Sequence, residues 1–469
     1  MNKNIPLWNL VSLLMLAVFL FSSALVLADT NQPITIAQAV EMALKNDCQI
    51  GIAGNDLEKA KLAVKQQIAQ VFPQAKIDGL YEYDVNNQTY PHNYSIVISE
   101  TIPTNFSLYG KKVVSNIDAA VWDQINSETQ LQITKANVTF NTIQYYINAL
   151  KAQQVLRMQQ EVVKNALTAN NLALEQLRLG KVTKTTQLQS ENNLATASLD
   201  LEQDKADYEI ALQQLGNQIG ITDSNQIVLV DNTANYKAAA VDFEKLKEKA
   251  QKDRLELQQA RIAVKKAELA WAQAANQGLP TVNLSYNNVD KTQGYSISYD
   301  FLSGNLGWNA AQRQNDSSVP DWNNNNNNTP YSSSNQKYYA LEFTWNLDFG
   351  IVRSQAAQAK MALESANISQ QQTGQKINLE VDQAIHDYKI AAQKVATNQK
   401  LVPYYQKDLE IKKLQNQLGV ASTPLDVSTA ELNLLKAQIA VVTAEYDQLV
   451  AYQKLRLVSG DLYPFGKKQ

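Results

Sequence analysis

From Ser107 to Leu179 the chain contains no proline, and glycine stands only near its two ends, at Gly110 and just beyond it at Gly180. Proline inside a helix removes a backbone donor and clashes with the preceding turn, so a run this long without one is free to be a single helix. At 1.5 Å per residue it would be a rod of about 100–110 Å. Ala136, Phe140, Ile143, Ile147 and Leu150 step by fours and threes along it, the seam of a coiled-coil-like packing. A second rod is expected from Ile351 to Leu418, ending at Gly419 and interrupted only by Pro403, where a kink is expected.

The two rods belong to an internal repeat. Ala43-Leu44-Lys45-Asn46 answers Ala250-Gln251-Lys252-Asp253, and Ala53, Ala60 and Pro73 answer Ala260, Ala267 and Pro280, all at an offset of 207 residues. Further on, Tyr109-Gly110 answers Phe349-Gly350, and Ser190-Glu191-x-x-Leu194-x-x-Ala197 answers Ala430-Glu431-x-x-Leu434-x-x-Ala437, at an offset of 240. The second half therefore carries about 33 extra residues between Pro280 and Phe349. The Asn-rich stretch 303–337, with six consecutive asparagines from Asn323 to Asn328, is the natural place for it, as a solvated loop.

Each half reads in the same order. A helix (48–71 and 249–277) stops before Pro73 or Pro280, and strands follow. In 75–85 the residues Ala75, Ile77, Gly79, Tyr81, Tyr83 and Val85 alternate with Lys76, Asp78, Leu80, Glu82 and Asp84, an alternation with one exception. In 92–102 Tyr94, Ile96, Ile98 and Ile102 alternate with Ser95, Val97, Ser99 and Thr101. In 338–347 Tyr339, Leu341, Phe343, Trp345 and Leu347 alternate with Ala340, Glu342, Thr344 and Asn346. One irregular strand is expected over 281–301. Alternation with an aromatic-rich apolar face is the pattern of a membrane barrel. The inward face would then carry Lys76, Asp78, Glu82, Asp84 and Glu342. Four strands per chain cannot close by themselves, and open edges in lipid leave backbone groups unpaired, so several copies must complete the wall. The rods turn at Gly180 and Gly419 and return as helices of about half the length, 186–216 and 424–458. Such an assembly encloses a lumen, which implies passage.

The N-terminus, 1–28, reads as an export signal: Lys3, an apolar run from Val11 to Leu27, then Ala28 before Asp29. The mature chain then divides into repeats 29–240 and 241–469. Cys48, the single cysteine, cannot form an internal disulfide and fits an apolar helical position. With 42 basic and 45 acidic residues and a net charge of -3, no basic surplus points to nucleic acid. The two histidines, His92 and His386, have no partner at metal-ligand spacing, and no catalytic motif occurs, so neither an enzyme nor a cofactor is expected.

The start Thr35-Ile36-Ala37-x-Ala39-Val40-x-x-Ala43-Leu44-x-Asn46, the two helix–Pro–strand units, and the turns Leu179-Gly180-Lys181-Val182-Thr183 and Leu418-Gly419-Val420-Ala421-Ser422 resemble the TolC family of outer-membrane efflux channels over nearly the whole mature chain. The resemblance implies a mainly α fold of long antiparallel helical hairpins with four membrane strands per chain, closed as a trimeric twelve-stranded barrel. It implies a passive outer-membrane duct with its helical body in the periplasm, in an efflux or type I secretion assembly. Its partners would be a periplasmic adaptor and an RND or ABC inner-membrane transporter. The adaptor would meet the tips at Gly180, Val182, Thr183, Gly419, Ala421 and Ser422. The family's tip aspartate, which rings the pore, corresponds to Asp426; Thr186 stands in its place in the first half. Asp426 also suits the first turn of a helix as a cap. A competing reading is an exported coiled-coil or adhesin whose strands are a soluble cap.

Overall fold

The computed structural model describes residues 33–80, 93–103, 116–223, 227–230, 242–289, 293–314, 336–345, 350–418 and 422–462. The export signal, Glu82, Asp84, His92, Gly419, Ala421 and the asparagine run lie outside them. The chain forms two compact units: Met1–Asn46 with Asn141–Ala239 and Ile390–Val450, and Asp47–Phe140 with Ala240–Lys389 and Ala451–Gln469.

The long helices are continuous, the first over a proline-free sequence and the second in spite of one internal proline. Helices α1 (Ile36–Asn46) and α2 (Cys48–Ala69) precede α3, which runs unbroken from Asn116 to Arg178 over 63 residues, and α4 spans Lys184–Ile219. In the second half α5 (Phe243–Asp253) and α6 (Leu255–Asn276) lead to α7 (Ile351–Gln417) and α8 (Pro424–Val458). Helix α7 carries Pro403 inside it without a break in its helical assignment. The seam positions Ala136, Phe140, Ile143, Ile147 and Leu150 of α3 are all buried.

In the first unit, Val162, Ala166 and Ala197 form a core against Leu194, Leu432, Leu435 and Ile439. A short parallel pair, β1 (Pro33–Ile34) with β4 (Val228–Leu229), lies in the same unit. The wholly buried Tyr146 donates its hydroxyl to the Ile34 carbonyl at 2.6 Å. Gly220 ends α4 in the left-handed conformation (φ 82°), with the Ile221 N–H bonded to Gly216 O at 2.8 Å. Asn46 closes over that turn and donates its side-chain amide to Ile219 O at 2.9 Å.

In the second unit, Ala250, Ile377, Val381, Ala384, Ile385, Leu455 and Val458 make the helical core. The single helix expected over 249–277 is two helices, because Arg254 leaves the helical conformation (φ −64°, ψ 121°). Its buried guanidinium thereby reaches Glu256 at 2.8 Å, Glu380 at 2.9 Å and the Val458 carbonyl at 3.2 Å. Asp47 breaks the chain at the matching position of the first repeat, where its carboxylate caps α2 by accepting from the Gln49 and Ile50 N–H groups. Cys48, expected to be packed, is exposed as the first residue of α2, because the turn at Asp47 resets the helical face.

Among the described residues the second unit also holds a sheet of six strands, not the four expected: β2 (Gln74–Leu80), β3 (Asn93–Pro103), β5 (Thr281–Val289), β6 (Gln293–Asp300), β7 (Asn305–Gln314) and β8 (Gln336–Thr344). Their order is β2-β3-β7-β6-β5-β8, and every neighbouring pair is antiparallel. Two expectations are corrected. The irregular strand over 281–301 is the two strands β5 and β6, and residues 305–314, placed in the loop insert 303–337, form β7. The tight turn Phe301–Gly304 makes this possible. Asp300 accepts from the Leu302 N–H at 2.8 Å and the Ser303 hydroxyl at 2.6 Å, and Gly304 adopts φ 67°.

Candidate functional site

The register divides the sheet into two faces. Across one face run Ala75 and Ile77; Ile96, Ile98 and Ile102; Leu306, Trp308 and Ala310; Tyr295, Ile297 and Tyr299; Val282, Leu284 and Tyr286; and Tyr339, Leu341 and Phe343. Side chains alternate across a strand, so the other face carries their neighbours. These include Lys76, Ser99 and Thr101; Gly307 and Asn309; Ser296 and Ser298; Asn283, Ser285 and Asn287; and Ala340, Glu342 and Thr344. The apolar face is uncovered: Tyr339 is 79% exposed, Leu341 71% and Ile77 74%. An apolar patch of this extent is not left in water by a soluble monomer.

Of the lumen candidates, Lys76, Asp78 and Glu342 take positions on the polar face, on the two edge strands, while Glu82 and Asp84 lie outside the described residues. Lys76 and Glu342 are exposed there, and Asp78 occupies a register position of the same face opposite Ser95. Glu100 departs from the pattern by sitting on the apolar face, where it accepts from the Trp308 indole N–H at 2.5 Å.

The two turns lie in the other unit. The first rod ends in a Schellman motif: Gly180 at φ 68° has its N–H on Leu177 O at 3.0 Å, and the Lys181 N–H bonds Gln176 O at 2.9 Å. Thr183 caps α4, its hydroxyl accepting from the Thr186 N–H at 3.2 Å. In the second turn Thr423 takes the matching place. Its hydroxyl accepts from the Asp426 N–H at 3.3 Å, and the Asp426 carboxylate accepts from the Thr423 N–H at 2.7 Å and its hydroxyl at 2.9 Å. That reciprocal pair is a capping box. Val182 is half-buried beside the first turn, and Ser422, half-buried beside the second, has its hydroxyl enclosed. Asp426 and Thr186 thus share one position and one local role, with the charge present only in the second half.

Among the described residues no group of three or more His, Cys, Asp or Glu side chains could hold a metal, and no helix is long and apolar enough to cross a membrane. Residues 39–220 and 246–461 match the model of the outer membrane efflux protein family. The chain belongs to the outer membrane efflux protein family. Similar solved structures include CusC, at 15% identity and a TM-score of 0.67, covering 91% of this chain and 92% of that one. The Campylobacter jejuni CmeC outer membrane channel has 16% identity and a TM-score of 0.66, covering 92% of this chain and 87% of the other. The open state of the Neisseria gonorrhoeae MtrE outer membrane channel has 15% identity and a TM-score of 0.66, covering 91% and 88%. No curated protein matches in sequence. The efflux family consists of outer-membrane channels and not enzymes, which fits a chain whose conspicuous site is a two-faced wall.

Strands β6 and β7 are the part of this sheet that the sequence reading missed. Their signal was present in Tyr295, Ile297 and Tyr299 alternating with Ser296 and Ser298, and in Leu306, Trp308 and Ala310 alternating with Gly307 and Asn309.

Proposed function

We propose that this chain is the outer-membrane exit duct of a tripartite efflux or secretion assembly, a passive conduit for small molecules or polypeptides handed to it by an inner-membrane transporter. The observation that carries the reading is the sheet. One of its faces is mainly apolar and exposed, the other is mainly polar, and among the described residues no further strand lies beside its edge strands β2 and β8. In lipid such edges must find partners. Strands β2 and β8 run in opposite directions, so β2 of one copy can pair antiparallel with β8 of the next. Three copies is the number that the TolC-like family uses. CmeC and MtrE are themselves described as outer membrane channels, and CusC as forming a transmembrane channel.

In this reading residues 1–28 direct export and the helices stand in the periplasm. Gly180, Val182, Thr183, Gly419, Ala421 and Ser422 form the tips that meet a periplasmic adaptor joined to an RND or ABC transporter. Lys76, Asp78, Glu82, Asp84 and Glu342 wet the barrel lumen, and Asp426 and Thr186 line the inner entrance. The capping box is compatible with that last role, since a carboxylate can cap and still carry its charge into a pore.

Purified oligomer added to a planar lipid bilayer should give stepwise single-channel currents. Folded oligomer that inserts and never conducts would sink the proposal. Asp426→Asn separates the two uses of that residue. Its amide oxygen can still accept from Thr423, so thermal stability should change little while cation selectivity falls. Unchanged selectivity would leave Asp426 as a cap alone.

A further inference from the structure

The β6–β7 hairpin has no counterpart in the first repeat. Strand β5 answers β2 at the offset of 207 and β8 answers β3 at 240, so the extra residues between Pro280 and Phe349 include both β6 and β7. An insert of this kind is ordinarily a loop that leaves the wall unchanged. This one lies inside the sheet: β7 pairs with β3 from Tyr94↔Gln314 to Pro103↔Asn305, and β6 pairs with β5 from Asn283↔Asp300 to Val289↔Gly294. Its dyad is in phase with the repeat strands on both sides. Ile98, Ala310 and Tyr295 lie in one cross-strand row; Ile102, Leu306, Tyr299, Leu284 and Leu341 lie in another.

The hairpin's other features also suit a membrane wall. Strand β7 has 10 residues and β6 has 8, near the ~9–11 that a tilted membrane strand needs. The tight Phe301–Gly304 turn joins β6 to β7 at the end of the sheet from which α6 and α7 continue, and at the opposite end β5 and β6 are separated by residues 290–292 alone. The hairpin's polar face carries Ser296, Ser298 and Gly307 beside Asn305 and Asn309. A Cβ on Gly307 would come within 2.9 Å of the Ser298 hydroxyl, so this row is packed close to the backbone.

We infer that β6 and β7 are lipid-facing strands of the barrel wall itself. Each chain then contributes six strands, and three copies close an eighteen-stranded barrel. The inference rests on the channel reading above and changes its dimensions. Barrel diameter grows roughly in proportion to strand number, so the bore would be about 1.5 times that of a twelve-stranded wall. Barrels of about 16–18 strands leave an open aqueous channel. Any narrow point of the duct then lies in the helices.

The test uses full-length protein with Cys48→Ser, reconstituted in phospholipid vesicles, with single cysteines read by a charged, membrane-impermeant maleimide. Ser296→Cys, Ser298→Cys and Asn309→Cys on the polar face should label. Ile297→Cys, Tyr299→Cys and Leu306→Cys should react roughly tenfold more slowly, because a thiol in lipid does not ionise to the reactive thiolate. Ile98→Cys with Ser99→Cys, and Leu341→Cys with Glu342→Cys, report the repeat strands β3 and β8. If those pairs alternate while both faces of β6 and β7 label equally, the hairpin lies outside the membrane, and the inference falls with the channel reading intact. If no strand alternates, the channel reading falls as well. Electron cryomicroscopy of the unsubstituted oligomer supplies an independent count: eighteen strands supports the inference and twelve overturns it.

Discussion

Tyr146 shows how much one buried polar atom can fix. Its ring is wholly enclosed and its hydroxyl has the Ile34 carbonyl as acceptor, tying the β1 segment to α3. Tyr146→Phe keeps the ring and strands that carbonyl, which should cost about 1–2 kcal/mol and lower the thermal midpoint followed by circular dichroism. Gly220 is the second residue of this kind. Its positive φ disfavours any side chain, and a Cβ there would also press on Asn46 at 3.1 Å. Gly220→Ala should therefore destabilise by about 1–2 kcal/mol. A melting midpoint equal to that of the unsubstituted chain would contradict the packing described. Neither contact was legible in the sequence, because both join residues more than a hundred positions apart. Asp426 was half legible: aspartate near a helix start announced a cap, and the structure supplied the reciprocal bonds from Thr423.

At the scale of elements, the sequence reading was strongest where one local rule operates without competition. Absence of proline yielded α3, the repeat yielded α7 in spite of Pro403, and alternation yielded β3 and β8. It failed where a distant partner decides. The break at Arg254 follows from Glu380 and Val458, over a hundred residues away, and no helix propensity announces it. Strands β6 and β7 were hidden by composition, since a neighbourhood rich in asparagine and glycine reads as loop. Helix α4 carries a different kind of tension. Asp200, Asp204 and Asp207 lie along it, and the Asp204 carboxyl is held above its ordinary range by burial first and then by Asp207 and Asp200. A carboxyl whose folded pKa is raised binds more protons in the folded state than in the unfolded. Its contribution is therefore most favourable at acid pH and is lost as the pH rises through the folded value. Asp204→Asn should raise the melting midpoint at neutral pH, and the difference from the unsubstituted chain should shrink as the pH approaches about 3. A difference independent of pH would show that the charge is not its source.

At the scale of the whole molecule, the question is what covers the apolar surface that one chain leaves open. Lipid accounts for the outer face of the sheet in the proposed channel, but not for α7. Met361, Ile368, Leu379, Ile390, Leu401 and Tyr404 are all exposed on that helix, from 42% at Leu401 to 66% at Met361. Their first four steps are 7, 11, 11 and 11 residues, and each such step returns to within about 20° of the same helical direction. The result is a single stripe along the rod. Another copy of the chain is the natural cover, because in the proposed channel the edges at β2 and β8 would pair with neighbouring copies. Burying one such side chain is worth about 1.5–3 kcal/mol, so two charges in the stripe should defeat association. Leu379→Glu combined with Ile390→Glu should keep the helical circular dichroism of the unsubstituted chain, since glutamate is a good helix former. In native mass spectrometry from detergent it should shift the population from oligomer to single chains. If the oligomer survives both charges, the stripe faces water, and the contacts between copies must be sought on the other helices.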